Sequence, residues 1–220
     1  MQLKVVSVWL VILSMTVVVH GQTYVDIGAT GNNDGSSWMD AFTDLSGAIA
    51  SSQRGDEIWI AEGTYLPGNG SGDRGTSFVL PHDLSIYGGF TGDEVSLSQR
   101  DLASAVTMLS GDYNGDDIDG DLLSNRGDNA RHVIFTEDNI SAATRLDGLH
   151  IAHGHSDDES GTGDLRRGGG ILTYGAPTIE NCTFMQNYGY FGGGLYPRLA
   201  DAEMTITNCR FIQNLSLIHI

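Results

Sequence analysis

Apolar positions along the chain recur in a six-residue pattern: an apolar residue, a spacer, then Gly or Asn, followed by further apolar residues. The clearest copies are Ile179-Glu180-Asn181-Cys182-Thr183-Phe184 and Ile206-Thr207-Asn208-Cys209-Arg210-Phe211. Weaker copies begin at Leu146, Leu109, Ile86 and Ile60, so that successive copies lie 26, 23, 37, 33 and 27 residues apart. That is the period of a solenoid with one turn of chain per repeat. Ile179, Cys182 and Phe184 share one face if Asn181 bends the chain between two short strands. Such a bend calls for a left-handed backbone, which Gly enters freely and Asn tolerates. Gly148, Gly111 and Gly88 stand at the same position, and only the Ile60 copy departs, with Glu62 there.

Stacked turns put like residues over like at about 4.8 Å per strand step. Asn181 then lies over Asn208, and Cys182 over Cys209. The pattern predicts an all-β chain of the parallel β-helix kind. The two cysteines read as a stacked inward pair, free or disulfide-bonded, rather than a metal site, because no His stands at ligand spacing. One helix interrupts the strands: Ala41, Phe42, Leu45, Ala48 and Ile49 repeat at three- and four-residue spacing over Asp40 to Ser52. Thirty Gly and four Pro in 220 residues fit many short strands and turns better than a helical bundle.

At the N-terminus, Lys4, the apolar run Val5 to Val19 and the small residue Gly21 describe a secretory signal peptide over residues 1–21. The alternative, a membrane anchor, would need a run of about 20 apolar residues. The expected location is secreted, in the medium or at an outer-membrane surface. A formal net charge of −17 argues against nucleic acid and anionic membranes as partners.

Residues 22–67 contain Tyr24-Val25-Asp26, the polar run Thr30 to Trp38, the helical segment, Gly55-Asp56-Glu57-Ile58-Trp59-Ile60 and Gly63-Thr64-Tyr65. This stretch resembles the opening of secreted right-handed β-helix proteins, which implies a right-handed coil with an N-terminal capping helix over the exposed sheet edge. Further on, Gly168-Gly169-Gly170-Ile171 is followed by Phe184-Met185-Gln186-Asn187, and Gly192-Gly193-Gly194-Leu195 by Phe211-Ile212-Gln213-Asn214. These tetrads resemble the paired repeats of polymorphic outer membrane proteins, with Gly170 and Gly194 where that family usually has Ala. The resemblance implies a surface-exposed passenger, adhesin or stalk, associated with the membrane only through a C-terminal anchor outside these residues. Coils would then occupy residues 68–214. The apolar hexamer 215–220 reads as a truncation or read-through tail, with a genuine terminal strand as the alternative.

Two side loops, residues 112–128 and 153–167, account for the longest intervals and hold most of the candidate chemistry. Asp112, Asn114 and Asp116 have the alternate-oxygen spacing that opens an EF-hand loop, and Asp117, Asp119 and Asp121 repeat it imperfectly. These six residues are the candidate Ca²⁺ ligands, and a solvated acidic turn is the other reading. Asp157, Asp158 and Glu159 supply carboxylates beside Arg166, the constellation a β-helix polysaccharide lyase or glycoside hydrolase would need. His132, His150, His153 and His155 add groups that titrate near neutrality. The main expectation is a surface module with a binding, adhesive or structural role, whose partner is an extracellular carbohydrate or surface protein. The enzyme is the alternative.

Overall fold

The computed structural model describes residues 21–158, 163–198 and 203–218, so all but the last residue of the leader assigned to residues 1–21, and the carboxylate of Glu159, lie outside the described residues. β1 (Gln22–Val25) and α1 (Leu45–Ser51) precede five stacked turns of chain. The first turn holds β2 (Glu57–Ala61), β3 (Gly63–Tyr65) and β4 (Phe78–Leu80). The second holds β5 (Ser85–Phe90), β6 (Thr107–Ser110) and β7 (Ile134–Thr136). The third contains β8 (Arg145–Asp147), β9 (Leu149–Ala152), β10 (His155–Ser156) and β11 (Ile171–Thr173). In the fourth are β12 (Thr178–Glu180), β13 (Thr183–Met185), β14 (Tyr188–Phe191) and β15 (Leu195–Pro197). The fifth has β16 (Thr205–Thr207), β17 (Arg210–Ile212) and β18 (Leu215–Ile218). The tail residues 215–218 thus form a strand.

The strands of successive turns pair in parallel, giving sheets ordered β1-β2-β5-β8-β12-β16, β3-β6-β9-β13-β17, β4-β7-β11-β15 and β10-β14-β18. Every pairing between these strands is parallel. Register turns the apolar pattern into columns. Ile58, Ile86, Leu146, Ile179 and Ile206 stack in the first sheet. Tyr65, Leu109, Ile151, Phe184 and Phe211 stack in the second, and Phe78, Ile134, Ile171 and Leu195 in the third. Except for Ile206 and Phe211 of the last turn and the partly buried Leu195, which packs against the rest, these side chains form one buried core. Phe184 and Phe211 lie flat on one another, with centroids 4.7 Å apart and planes 3° from parallel.

The register corrects two of the six repeat copies. Leu109 belongs to the second sheet, over Ile151, and not to the column of Ile86 and Leu146. In the first turn Ile58, not Ile60, occupies that column, because Ile58 pairs with Ile86 before the register slips between Trp59 and Ala61; Glu62 still stands at the corner, as the one residue between β2 and β3, and there it is Gly63 that takes the positive φ, 144°. At the true corners Gly148, Asn181 and Asn208 have φ of 76°, 52° and 52°, the conformation that selects Gly or Asn. Gly88 and Gly111 serve a different need, since a Cβ on either would lie 2.6 Å from a backbone oxygen of the next turn.

A second left-handed corner follows the second sheet, at His153, Gln186 and Gln213, with φ of 64°, 52° and 52°. The Phe-x-x-Asn tetrads are this corner seen in sequence. The Asn187 side chain donates to the Ile151 carbonyl at 2.8 Å and to Asn214 Oδ1 at 3.0 Å, and accepts from the Gly154 N–H at 2.9 Å. The glycine tetrads pack backbone on backbone: a Cβ on Gly170 would come within 2.3 Å of the Gly194 oxygen.

The helix is shorter than its periodicity predicts. Asp44 ends the preceding strand-like segment and caps the helix, its Oδ1 accepting from the Gly47 N–H at 3.0 Å, so α1 begins at Leu45. Phe42, assigned to the helix by spacing, instead bridges to Val25. Leu45, Ala48 and Ile49 are buried, and α1 packs against β1, β2 and β4. The polar run before it is held outside the first sheet by Trp38, whose ring is tilted against Phe90 and whose indole N–H donates to the Glu94 carbonyl.

Candidate functional site

Loop 112–128 leaves the end of β6 and folds around the carboxylate of Asp112. Its Oδ1 accepts from the Gly115 N–H at 2.7 Å and its Oδ2 from the Asp117 N–H at 3.2 Å. A short polar side chain just past a strand end makes this compact turn at little cost. Asp121 repeats the device, accepting from the Leu123 and Ser124 N–H groups, and hydrogen bonding from Ser124 above all holds its carboxyl down to about 2.

Arg126 is the buried centre of the loop. Its side chain is 2% exposed and pairs at 2.6 Å with Asp117, whose side chain is 3% exposed. The same guanidinium donates to the Asp121 carbonyl at 2.8 Å and to the carbonyl and Oε1 of Gln186. Arg126 thereby pins the loop of the second turn to the corner of the fourth. Burial pushes Asp117 up to about 6, helped by the charges of Asp112 and Asp128 and opposed by Asn129 and Arg126. Asn129, fully buried, donates to Asp117 Oδ2 at 2.8 Å and to the His153 carbonyl at 2.7 Å.

Two groups of donors converge here: Asp112, Asp116 and Asp128 in one, Asp112, Asp117 and His153 in the other, with the donor atoms of each group within 4.8 Å of one another. The EF-hand spacing is not what assembles them. Asn114 contributes only its backbone N–H, to Asp128; Asp119 accepts from the Gln186 amide; Asp121 is committed to its own turn. Of the six predicted ligands, Asp112, Asp116 and Asp117 are brought together and the other three point elsewhere. Asp128 and His153 complete the groups. His153 arrives because β6 and β9 are neighbours, which sets Ser110 beside Ala152 and the two loop bases one strand apart.

In loop 153–167 the described candidates have separate partners. Asp157 pairs with Arg74 at 2.8 Å, and Arg74 also holds the carbonyls of Asn129 and His155. The Asp158 N–H bonds to the Leu165 carbonyl. Arg166 lies over the ring of Tyr190, 3.8 Å from its centroid, in a cation-π contact. His155 stacks on Tyr188, and its burial brings its imidazole down to about 4.

An open groove lies elsewhere, along the outer face of the second sheet, with a volume of about 610 Å³. Met108, His150, Thr183 and Arg210 form its floor, one outward residue per turn in strict register. Half-exposed Leu102 and Val106 form one wall, and Asn181 and Asn208 line it as well. Burial, with the charge of Arg210, lowers the pKa of His150, which favours the neutral imidazole. Among the described residues that line this groove there is no Asp or Glu. The chain matches no family model, no curated protein and no solved structure.

Proposed function

We propose that the chain is a right-handed parallel β-helix acting outside the cell as a binding module, with the groove over the second sheet as its ligand surface. The stacked parallel sheets support the fold, and connections between parallel strands of one sheet are right-handed in about 98% of cases. The leader-like residues 1–21 and the Gly-rich and Phe-x-x-Asn tetrads support a secreted or outer-membrane-surface location. A Ca²⁺ ion held through oxygen alone by Asp112, Asp116 and Asp128 would stiffen the side loop without altering the groove.

One observation carries the binding role. The groove offers rows of amide, hydroxyl, imidazole and guanidinium groups beside apolar walls, and none of the described residues lining it is a carboxylate that could act as acid or nucleophile at a glycosidic bond. Such a surface suits an extended extracellular carbohydrate, its hydroxyls on Asn181, Asn208 and Thr183 and its carboxylates on Arg210. Affinity electrophoresis in gels containing alginate, an acidic polysaccharide, or xyloglucan, a neutral one, tests this. Retardation that Arg210→Ala and His150→Ala reduce at least fivefold supports the reading. Unretarded migration in both gels, or release of reducing ends from either polymer, sinks it.

A further inference from the structure

The structure assigns a divalent transition-metal site to Asp112, Asp117 and His153, at the junction of the side loop and the corner after β9. Three observations independent of the groove lead there. The first is the convergence of one imidazole nitrogen and two carboxylates, their donor atoms within 4.8 Å of one another. Ca²⁺ takes oxygen ligands, whereas imidazole with carboxylate suits Zn²⁺ and its neighbours.

The second is a pair of orphaned buried acceptors in the same node. Asp117 Oδ1 has no hydrogen-bond partner, although its side chain is only 3% exposed and its Oδ2 is taken by Arg126 and Asn129. Asn129 Oδ1 is likewise buried and without a partner, while its amide nitrogen bonds to Asp117 and to the His153 carbonyl. A buried acceptor without a donor keeps an unrecovered desolvation cost, which a bound cation relieves. Arg126 does not compete for this position, because it pairs through the other oxygen of Asp117.

The third is an internal comparison. The corner after the second sheet is built three times with nearly the same backbone, and it carries Gln186 and Gln213 in the later turns. Gln therefore satisfies the corner. His stands there only in the turn where Asp112 and Asp117 face it. Its Nδ1 lies 3.1 Å from Ser110 Oγ, which orients the ring as hydrogen-bonded partners orient ligating imidazoles and leaves Nε2 for the metal. Metal bonds of roughly 2.1 Å set donors about 3.4 Å apart, a separation that donors gathered within 4.8 Å can meet.

The test uses the full chain, stripped with a chelator and then titrated separately with ZnCl₂, MnCl₂ and CaCl₂ while the melting midpoint and the heat of binding are followed. Zn²⁺ is expected to bind with a stoichiometry of one and to raise the midpoint by several degrees. His153→Gln, which installs the residue of the two later corners, is expected to abolish that shift while leaving the metal-free midpoint unchanged. Asp117→Asn weakens binding at least tenfold, and Asp116→Asn leaves it intact. A Ca²⁺ shift that survives His153→Gln overturns the assignment in favour of the all-oxygen group of Asp112, Asp116 and Asp128. A Zn²⁺ shift that His153→Gln leaves unchanged places the ion elsewhere, and no shift with any metal means that water serves the orphaned acceptors. Each of these outcomes also overturns the assignment, and none bears on polysaccharide retardation.

Discussion

Asn208 donates its side-chain amide to Asn181 Oδ1 at 2.6 Å, and Asn181 in turn donates to Asp147 Oδ1 at 2.8 Å, so a polar ladder runs across the corners of three successive turns. Each asparagine is also held at φ 52°. Asn181→Ala removes both hydrogen bonds and places a non-Gly, non-Asn residue in the left-handed region. With about 1 kcal/mol for each net hydrogen bond and 1–2 for the backbone, the loss should be roughly 3–4 kcal/mol. Asn181→Gly keeps the backbone free and should lose only about half of that. Urea unfolding of the two variants separates the contributions, and equal losses would show that the backbone term is negligible.

Arg126 holds the acidic loop from inside. Arg126→Met leaves the buried carboxylate of Asp117 uncompensated, which for buried pairs costs about 3–5 kcal/mol. Replacing both, Arg126→Met with Asp117→Leu, should recover much of the loss. A double-mutant cycle by chemical denaturation measures the coupling, and additive losses would mean that the pair does not act as a unit.

The two thiols differ although they stack. Hydrogen bonding from Cys182, above all, brings Cys209 down to about 7, while burial pushes Cys182 well up. Iodoacetamide should therefore modify Cys209 at neutral pH, at a rate that rises through pH 7, and reach Cys182 only after unfolding. Peptide mapping of briefly alkylated protein gives the order; equal labelling would refute it.

His132 is buried, its Nδ1 3.1 Å from the Gly168 carbonyl, and burial lowers its pKa from the ordinary 6.5. A histidine with a depressed folded pKa binds fewer protons than the unfolded chain. Its contribution is thus complete above pH 6.5 and is lost as pH falls below that value towards the folded pKa. The melting midpoint should fall on acidification from pH 7 to 5, and His132→Gln should flatten that slope. A slope unchanged by the substitution would assign the acid sensitivity to other groups.

Much of the scaffold was legible in the chain. Ile86, Leu146, Ile179 and Ile206 form one column, as their shared context predicts, and the Asn181 and Asn208 corners take the left-handed bend that Asn at that position implies. The helix was visible as a period and misjudged in length, because Asp44 caps it after Phe42 has already joined a strand. The corner at His153, Gln186 and Gln213 went unread, since His and Gln are weak signals for a left-handed backbone.

The acidic loop shows the limit. Its carboxylates are obvious in sequence, but the EF-hand spacing groups Asp112 with Asn114, Asp119 and Asp121, and the folded loop does not. By itself the sequence determined the parallel stack, because column and corner residues repeat locally and each meets a local steric demand. Only the tertiary structure decided which groups meet across turns. A residue's neighbour in a stack lies one full turn away, and the length of each turn depends on loops whose register is set by strand pairing, so Asp112 and Asp117 find His153 only once β6 lies against β9.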